Sequence, residues 1–202
     1  MTRGGYEGLV KEGKAGAPLV FAFHGTGGDE HQFFDLVRDL APGASIASPR
    51  GDVSEGGAAR FFKRKGEGVY DMEDLARAVE KMAKYIASFD HAGPVYGFGY
   101  SNGANILAAT VMAHPNLFDR IGLLHPLIPW EPEPVDLSGR KVLITAGKRD
   151  PITPWAQSQK LLDWFAGQGA DVGEVIHPGG HEIRREEIVA LHGLLNAEMA
   201  PA

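Results

Sequence analysis

The chain contains no cysteine. Disulfides, thiolate metal sites and a cysteine nucleophile are therefore excluded, and covalent chemistry, if there is any, must run through oxygen or nitrogen. No apolar run approaches the ~20 residues of a membrane-spanning helix, and the opening MTRGGYEGLVKEG lacks the apolar core of a secretory signal. Cytoplasmic localisation without a membrane partner is the expectation. A basic surplus is also missing. The 20 Lys and Arg stand against 26 Asp and Glu, giving a net charge of −6, so no surface for nucleic acid or anionic lipid is expected. The densest basic stretch, Lys63-Arg64-Lys65, reads as a solvated loop. There is no internal repeat, low-complexity tract or linker.

What is present fits one globular domain spanning residues 1–202, with 44% hydrophobic and 23% charged residues. A chain of this size buries roughly 70% of its unfolded surface in a single core.

Strand-like and helix-like segments alternate. Leu19–Phe23 is a continuous apolar run, as expected of a strand covered on both faces. A helix is predicted from about Glu30 to Leu40 and a short strand around Ala44 to Ala47. Asp71 reads as a helix cap, followed by Met72, Leu75, Val79, Met82 and Ile86 at spacings of three and four. Further strands are predicted at Val95–Tyr100, Ile121–Leu124, Lys141–Ala146 and Val172–Ile176. Helices are predicted from Asn102 to about Ala113, from Thr153-Pro154 to about Gly167, and from about Glu182 to Met199. This order predicts an α/β fold: a doubly wound, mostly parallel sheet with helices on both faces. Ligands then belong at the carboxyl ends of the strands.

The run Gly99-Tyr100-Ser101-Asn102-Gly103 lies between a predicted strand and a predicted helix. In that context G-x-S-x-G reads as a sharp turn presenting a nucleophilic serine, with the glycines removing side chains that would clash there. Serine is a poor nucleophile until an imidazole takes its proton, and that imidazole needs a carboxylate to fix its tautomer. Three other strand ends carry polar candidates: His24-Gly25-Thr26-Gly27-Gly28-Asp29, Gly147-Lys148-Arg149-Asp150 and Pro178-Gly179-Gly180-His181. Ser101, Asp150 and His181 follow the chain order of α/β-hydrolase triads.

Blander readings compete. Asp150 precedes Pro151, as many turn aspartates do. Asp163 and Asp171 are weaker alternatives, one in mid-helix and the other entering a strand. His177 is the nearest rival to His181, whereas His31, His91, His114 and His192 fall on helices or connectors. His24, Asp29 and His31 have no metal-binding spacing, and the glycine-rich turn after His24 lacks the ending of a phosphate loop. Neither a metal nor a cofactor is expected. The turn is better used as an oxyanion hole, from the amides of Thr26 and Asn102.

Together, HGTGGDE, GYSNGA, the Asp150 turn and GGHE resemble the phospholipase/carboxylesterase group of the α/β-hydrolases, which also holds the acyl-protein thioesterases. Within it they are most similar to the bacterial carboxylesterase branch that includes hydroquinone-resistance hydrolases. The resemblance covers nearly the whole chain. It implies a serine carboxylesterase with Ser101, Asp150 and His181 as its triad, and frequent homodimers. Two departures weigh against protein depalmitoylation: Asn102 stands where thioesterases usually carry glutamine, and Arg60-Phe61-Phe62 where they carry a Trp-containing motif.

The connector HPLIPWEPEPVDLSGR, sixteen residues long, is too short and proline-rich to build a cap domain. An open site is expected, with Leu127, Trp130, Phe61 and Phe62 as candidates for an apolar pocket wall. Arg60 either steers an anionic substrate group or pairs with a nearby acid. The reading is an esterase for small to medium carboxylic esters, active as an ordinary imidazole deprotonates near ~6.5. The alternatives are a thioesterase or lysophospholipase-like hydrolase, a cofactor-free lyase or perhydrolase, and a non-catalytic binding module.

Overall fold

The computed structural model describes residues 2–196. Eight strands form one sheet: β1 (Thr2–Arg3), β2 (Tyr6–Lys11), β3 (Leu19–Phe23), β4 (Ser45–Pro49), β5 (Val95–Tyr100), β6 (Arg120–Leu124), β7 (Lys141–Gly147) and β8 (Asp171–His177). Their spatial order is β1-β2-β4-β3-β5-β6-β7-β8. β2 runs antiparallel to β1 and β4, and every other pairing is parallel. Five helices cover the sheet: α1 (Phe34–Leu40), α2 (Met72–Ala87), α3 (Asn102–Ala113), α4 (Trp155–Gly167) and α5 (Arg185–Asn196).

The apolar run of β3 serves both faces. Leu19, Phe21 and Phe23 pack with residues of α2, α3 and α4, while Val20 and Ala22 pack with α1 and α5. All five are buried, which is why this strand shows no polar alternation. The sheet is thus doubly wound, and its carboxyl ends share one edge.

The capping prediction at Asp71 holds: its Oδ1 accepts the Asp74 N–H at 3.1 Å. Leu75, Val79, Met82 and Ile86 face the core, but Met72, at the start of the stripe, stays half-exposed. Helix α1 begins at Phe34 rather than near Glu30, because Asp29 closes a turn by accepting the His31 N–H. Helix α5 begins at Arg185 rather than Glu182. Glu182 turns back onto the Gly180 N–H and Arg184, and the new first turn is capped by Glu187 accepting the Arg184 N–H at 2.5 Å. Residues 197–199 of that predicted helix lie outside the described residues.

Four elements go beyond the sequence expectation: β1, β2 and two hairpins between β4 and α2. The first hairpin pairs Val53–Glu55 with Ala58–Arg60, and the second pairs Arg64–Gly66 with Val69–Tyr70. Each is short and polar, so hydrophobic periodicity carries little signal for it. No helix among the described residues is long and apolar enough to cross a membrane.

Candidate active site

Ser101 sits between β5 and α3 with φ 53° and ψ −117°, a backbone conformation that L side chains rarely adopt. The turn is forced by close packing. A Cβ on Gly99 would run into the Gly103 backbone, and one on Gly103 would run into the Phe23 carbonyl of β3. With neither Cβ present, α3 folds back directly over the sheet edge. The Ser101 N–H is tied to Leu124 O at 2.9 Å, and its carbonyl accepts the Asn105 N–H.

The loops after β7 and β8 bring the other two candidates to this edge. A Cβ on Gly147 would collide with Gly180 O, so the two loops can touch only because that residue is glycine. Arg149 N donates to Gly179 O across the same seam. As a result His181 Nε2 lies 2.9 Å from Ser101 Oγ, and His181 Nδ1 lies 2.6 Å from Asp150 Oδ2. Tyr100 steadies the histidine by donating from its hydroxyl to His181 O at 2.6 Å.

Asp150 is almost fully buried, which by itself would raise its carboxyl. Hydrogen bonds from the Thr153 N–H, His181, the Ile152 N–H and His125 outweigh burial and hold it below the usual carboxylate range. His177, the rival histidine, is buried and does not line the cleft with Ser101; its Nδ1 accepts the Gly179 N–H at 3.0 Å.

Thr26 and Asn102 flank Ser101 in one cleft of about 250 Å³. Neither amide meets a protein acceptor among the described residues. The segment 59–61 clamps both carriers of these amides. Ala59 O accepts the Gly27 N–H at 3.0 Å, Arg60 Nη1 donates to Thr26 Oγ1 at 2.6 Å, and the Phe61 N–H donates to Asn102 Oδ1 at 2.8 Å. His24 fixes the base of the loop: Nδ1 donates to Gly25 O at 2.7 Å and Nε2 accepts the Gly51 N–H at 2.9 Å. Both nitrogens are engaged, and burial keeps the ring neutral by lowering its pKa.

No protein-family model matches the chain. Among curated proteins it is 36% identical over 175 residues to MhqD of Bacillus subtilis (strain 168), a provisionally named hydrolase; the match covers 84% of this chain and 88% of that one. The chain belongs to the phospholipase/carboxylesterase group of α/β-hydrolases. Solved structures agree. The protein Atu2452 of unknown function from Agrobacterium tumefaciens str. C58 superposes with a TM-score of 0.92 at 55% identity, covering 95% of this chain and 96% of that one. A Bacillus cereus carboxylesterase superposes with a TM-score of 0.86 at 31% identity, covering 93% of this chain and 92% of that one.

The pocket residues expected of this hydrolase need correction. Phe61 and Phe62 are fully buried and do not line the cleft. Phe61 packs against Tyr6, Phe23 and His24, and Phe62 packs against Tyr70. Their backbone works at the site while their rings complete the core behind it. Trp130 lies in a separate surface groove formed with α4. Leu127 does reach the cleft. Arg60 also lines it, with Glu55 at 3.2 Å from its Nε; Nη1 donates to Thr26 Oγ1 and Nε to Phe62 O, so it pairs with a nearby acid and clamps the loop.

Several cleft residues escaped sequence reasoning. Asn105 accepts the Leu127 N–H at 2.6 Å and donates to Tyr70 OH at 2.8 Å, and Tyr70 OH donates to Leu127 O at 2.8 Å. This closed ring of bonds sets one wall of the cleft. His125, at the end of β6 with φ 52°, lies behind the site: its Nδ1 is 3.1 Å from Asp150 Oδ2. The carboxyl-end rule that picked out the other loops applies to this strand too, but the proline-rich run after His125 makes it look like a mere connector.

Proposed function

We propose that this hydrolase is a serine carboxylesterase of one α/β-hydrolase domain, cleaving small to medium carboxylic esters through an acyl-enzyme. The reading rests above all on the unbroken chain of contacts from Ser101 Oγ through His181 to Asp150, at 2.9 and 2.6 Å. Neutral His181 Nε2 takes the hydroxyl proton as Ser101 Oγ attacks the ester carbonyl. Asp150 accepts the Nδ1–H, fixing the tautomer and balancing the imidazolium that forms. The amides of Thr26 and Asn102 receive the negative charge on the carbonyl oxygen. His181 then protonates the departing alkoxide, and a water activated by the same nitrogen releases the acid and restores Ser101.

The cleft argues for modest substrates. It is about 250 Å³, and Arg60, Glu67, Asn105 and His181 break up the apolar surface offered by Tyr70 and Leu127. A long acyl chain finds no continuous apolar wall here, in keeping with the departures from the thioesterase pattern. The same family placement, with a Bacillus cereus carboxylesterase among its structural relatives, supports an ester rather than another acyl donor.

The test combines a fluorophosphonate probe with p-nitrophenyl esters from acetate to dodecanoate. Ser101 should label, and kcat/KM should be highest for the shorter acyl groups. Absence of labelling in well-folded protein would exclude an activated serine and leave a binding module. Labelling without turnover of any ester would favour a lyase or perhydrolase.

A further inference from the structure

Behind the proposed triad lies a second chain of ionisable groups that this mechanism leaves unused. His125 Nδ1 is 3.1 Å from Asp150 Oδ2, the oxygen that also receives His181. Its Nε2 is 3.0 Å from Glu187 Oε1, off the line of an ideal hydrogen bond. Glu187 Oε2 lies 3.5 Å from His177 Nε2 and accepts the Arg184 N–H. The side chains of His125 and Glu187 are fully buried, and that of Asp150 is 1% exposed.

Two carboxylates at opposite nitrogens of one ring define its charge. A neutral imidazole has one N–H and one lone pair, and a lone pair facing a buried carboxylate is repelled. A doubly protonated ring satisfies both. Burial would lower the pKa of His125, but Glu187 and Asp150 together raise it above the ordinary histidine value. Its other neighbours are His181 at 5.2 Å and His177 at 5.4 Å between ring centroids, the Tyr100 ring at 6.0 Å, and the Thr145 hydroxyl beside Glu187. The Arg184 guanidinium is turned to Glu182. A metal ion fits the cluster poorly. His177 Nδ1 accepts the Gly179 N–H, so the proton of the neutral ring sits on Nε2, the atom facing Glu187.

We propose that His125 is a lasting imidazolium which, anchored by Glu187, positions Asp150 and shares its negative charge with His181. The series Glu187, His125, Asp150, His181, Ser101 then alternates acid and imidazole from helix α5 to the nucleophile. His125 is a positioning residue because it touches Asp150, not substrate. This inference rests on the esterase reading for its kinetic consequences, but the charge on His125 does not.

Long-range proton–nitrogen NMR of the full chain, with His125→Gln used for assignment, reads that charge without turnover. Both His125 nitrogens should remain protonated from pH 6 to 8, and a neutral ring in that range overturns the proposal. Kinetics with p-nitrophenyl acetate supply the second readout. Removing the cation leaves two uncancelled carboxylates near His181, so in His125→Gln the acid limb of kcat/KM should move up by about one pH unit. Its kcat should fall about 10- to 100-fold, with KM within about threefold, as expected of a displaced catalytic group. Glu187→Gln removes an anion and should move the limb the opposite way, while the double variant should lie near the parent. Parental limbs in folded single variants would refute the electrostatic role. If His125→Gln does not fold, the His125 ring is assigned in the parent from through-bond backbone-to-ring correlations, and that spectrum together with Glu187→Gln decides. Failure of the parent to react with fluorophosphonate would strike the esterase reading alone.

Discussion

The guanidinium of Arg60 donates to the Thr26 hydroxyl at 2.6 Å, so a buried cation from a surface hairpin holds the loop that carries the amide proposed for the oxyanion. Arg60 is in turn balanced by Glu55, which also pairs with Arg64 at 2.9 Å. Arg60→Ala should free this loop without removing the amide. The expected loss in kcat is about 10- to 100-fold, at or below the ~10²–10³ of losing a donor outright. Lysine cannot reproduce the forked geometry, so Arg60→Lys should recover only part of the rate. Steady-state kinetics on a short ester check this, and a loss confined to KM would show that Arg60 meets substrate instead.

The strained Ser101 backbone sets activity against stability. Removing the hydroxyl in Ser101→Ala should lower kcat by about 10⁴ or more. Ser101→Gly is equally inactive but can adopt φ 53°, ψ −117° without the clash of a Cβ. Relief of roughly 1–3 kcal/mol of strain, less about 0.4–1 kcal/mol for a freer unfolded chain, leaves the glycine variant about 1 kcal/mol more stable than the alanine variant. Urea unfolding of the two inactive proteins measures the difference. A glycine midpoint below the alanine midpoint, by the unfolded-chain difference alone, would show that the turn is unstrained.

Phe61 and Leu127 should separate core from cleft. Phe61 is fully buried among Tyr6, Phe23 and His24, so Phe61→Ala should cost about 3–5 kcal/mol of stability. Leu127→Ala should widen the cleft and shift the acyl-length preference toward longer esters, at a smaller cost in stability. Parallel unfolding and p-nitrophenyl ester series distinguish the two. A changed acyl preference in Phe61→Ala, with Leu127→Ala unaffected, would reverse the assignment.

The contrast between these two residues reflects what a sequence can reveal. Ser101 and Asp150 could be named because each follows a strong apolar strand, and His181 because it ends the glycine pair after the weaker, half-exposed β8; the buried strands β3, β5, β6 and β7 announce themselves by composition. Phe61 and Phe62 carry no such signal: two adjacent aromatics on a polar loop look alike whether they face substrate or the core. His125 was hidden for a related reason. Its partner Glu187 is 62 positions away on α5, and only the doubly wound topology brings that helix under β6 and β7. Strand β2 and the hairpins are set by tertiary pairing, since their own residues alternate too weakly.

The buried charges behind Asp150 should also give stability an unusual dependence on pH. Asp150 and Glu187 are held below their ordinary values, burial being overcome by hydrogen bonds, so their contribution exists above about pH 4 and is lost as pH falls through the folded values. His24 is lowered by burial, so the unfolded chain binds its proton more readily and stability climbs toward the free-histidine value of about 6.5. His125 is raised against its burial by Glu187 and Asp150. Its contribution is therefore complete below about pH 6.5 and declines as pH rises from there through the folded value. Stability should pass through a maximum near about pH 6.5, and the alkaline decline should flatten in His125→Gln even though that variant is weaker throughout. Urea midpoints measured from pH 4 to 9 test this. An alkaline slope of the same size in parent and variant would mean that the decline comes from groups other than His125.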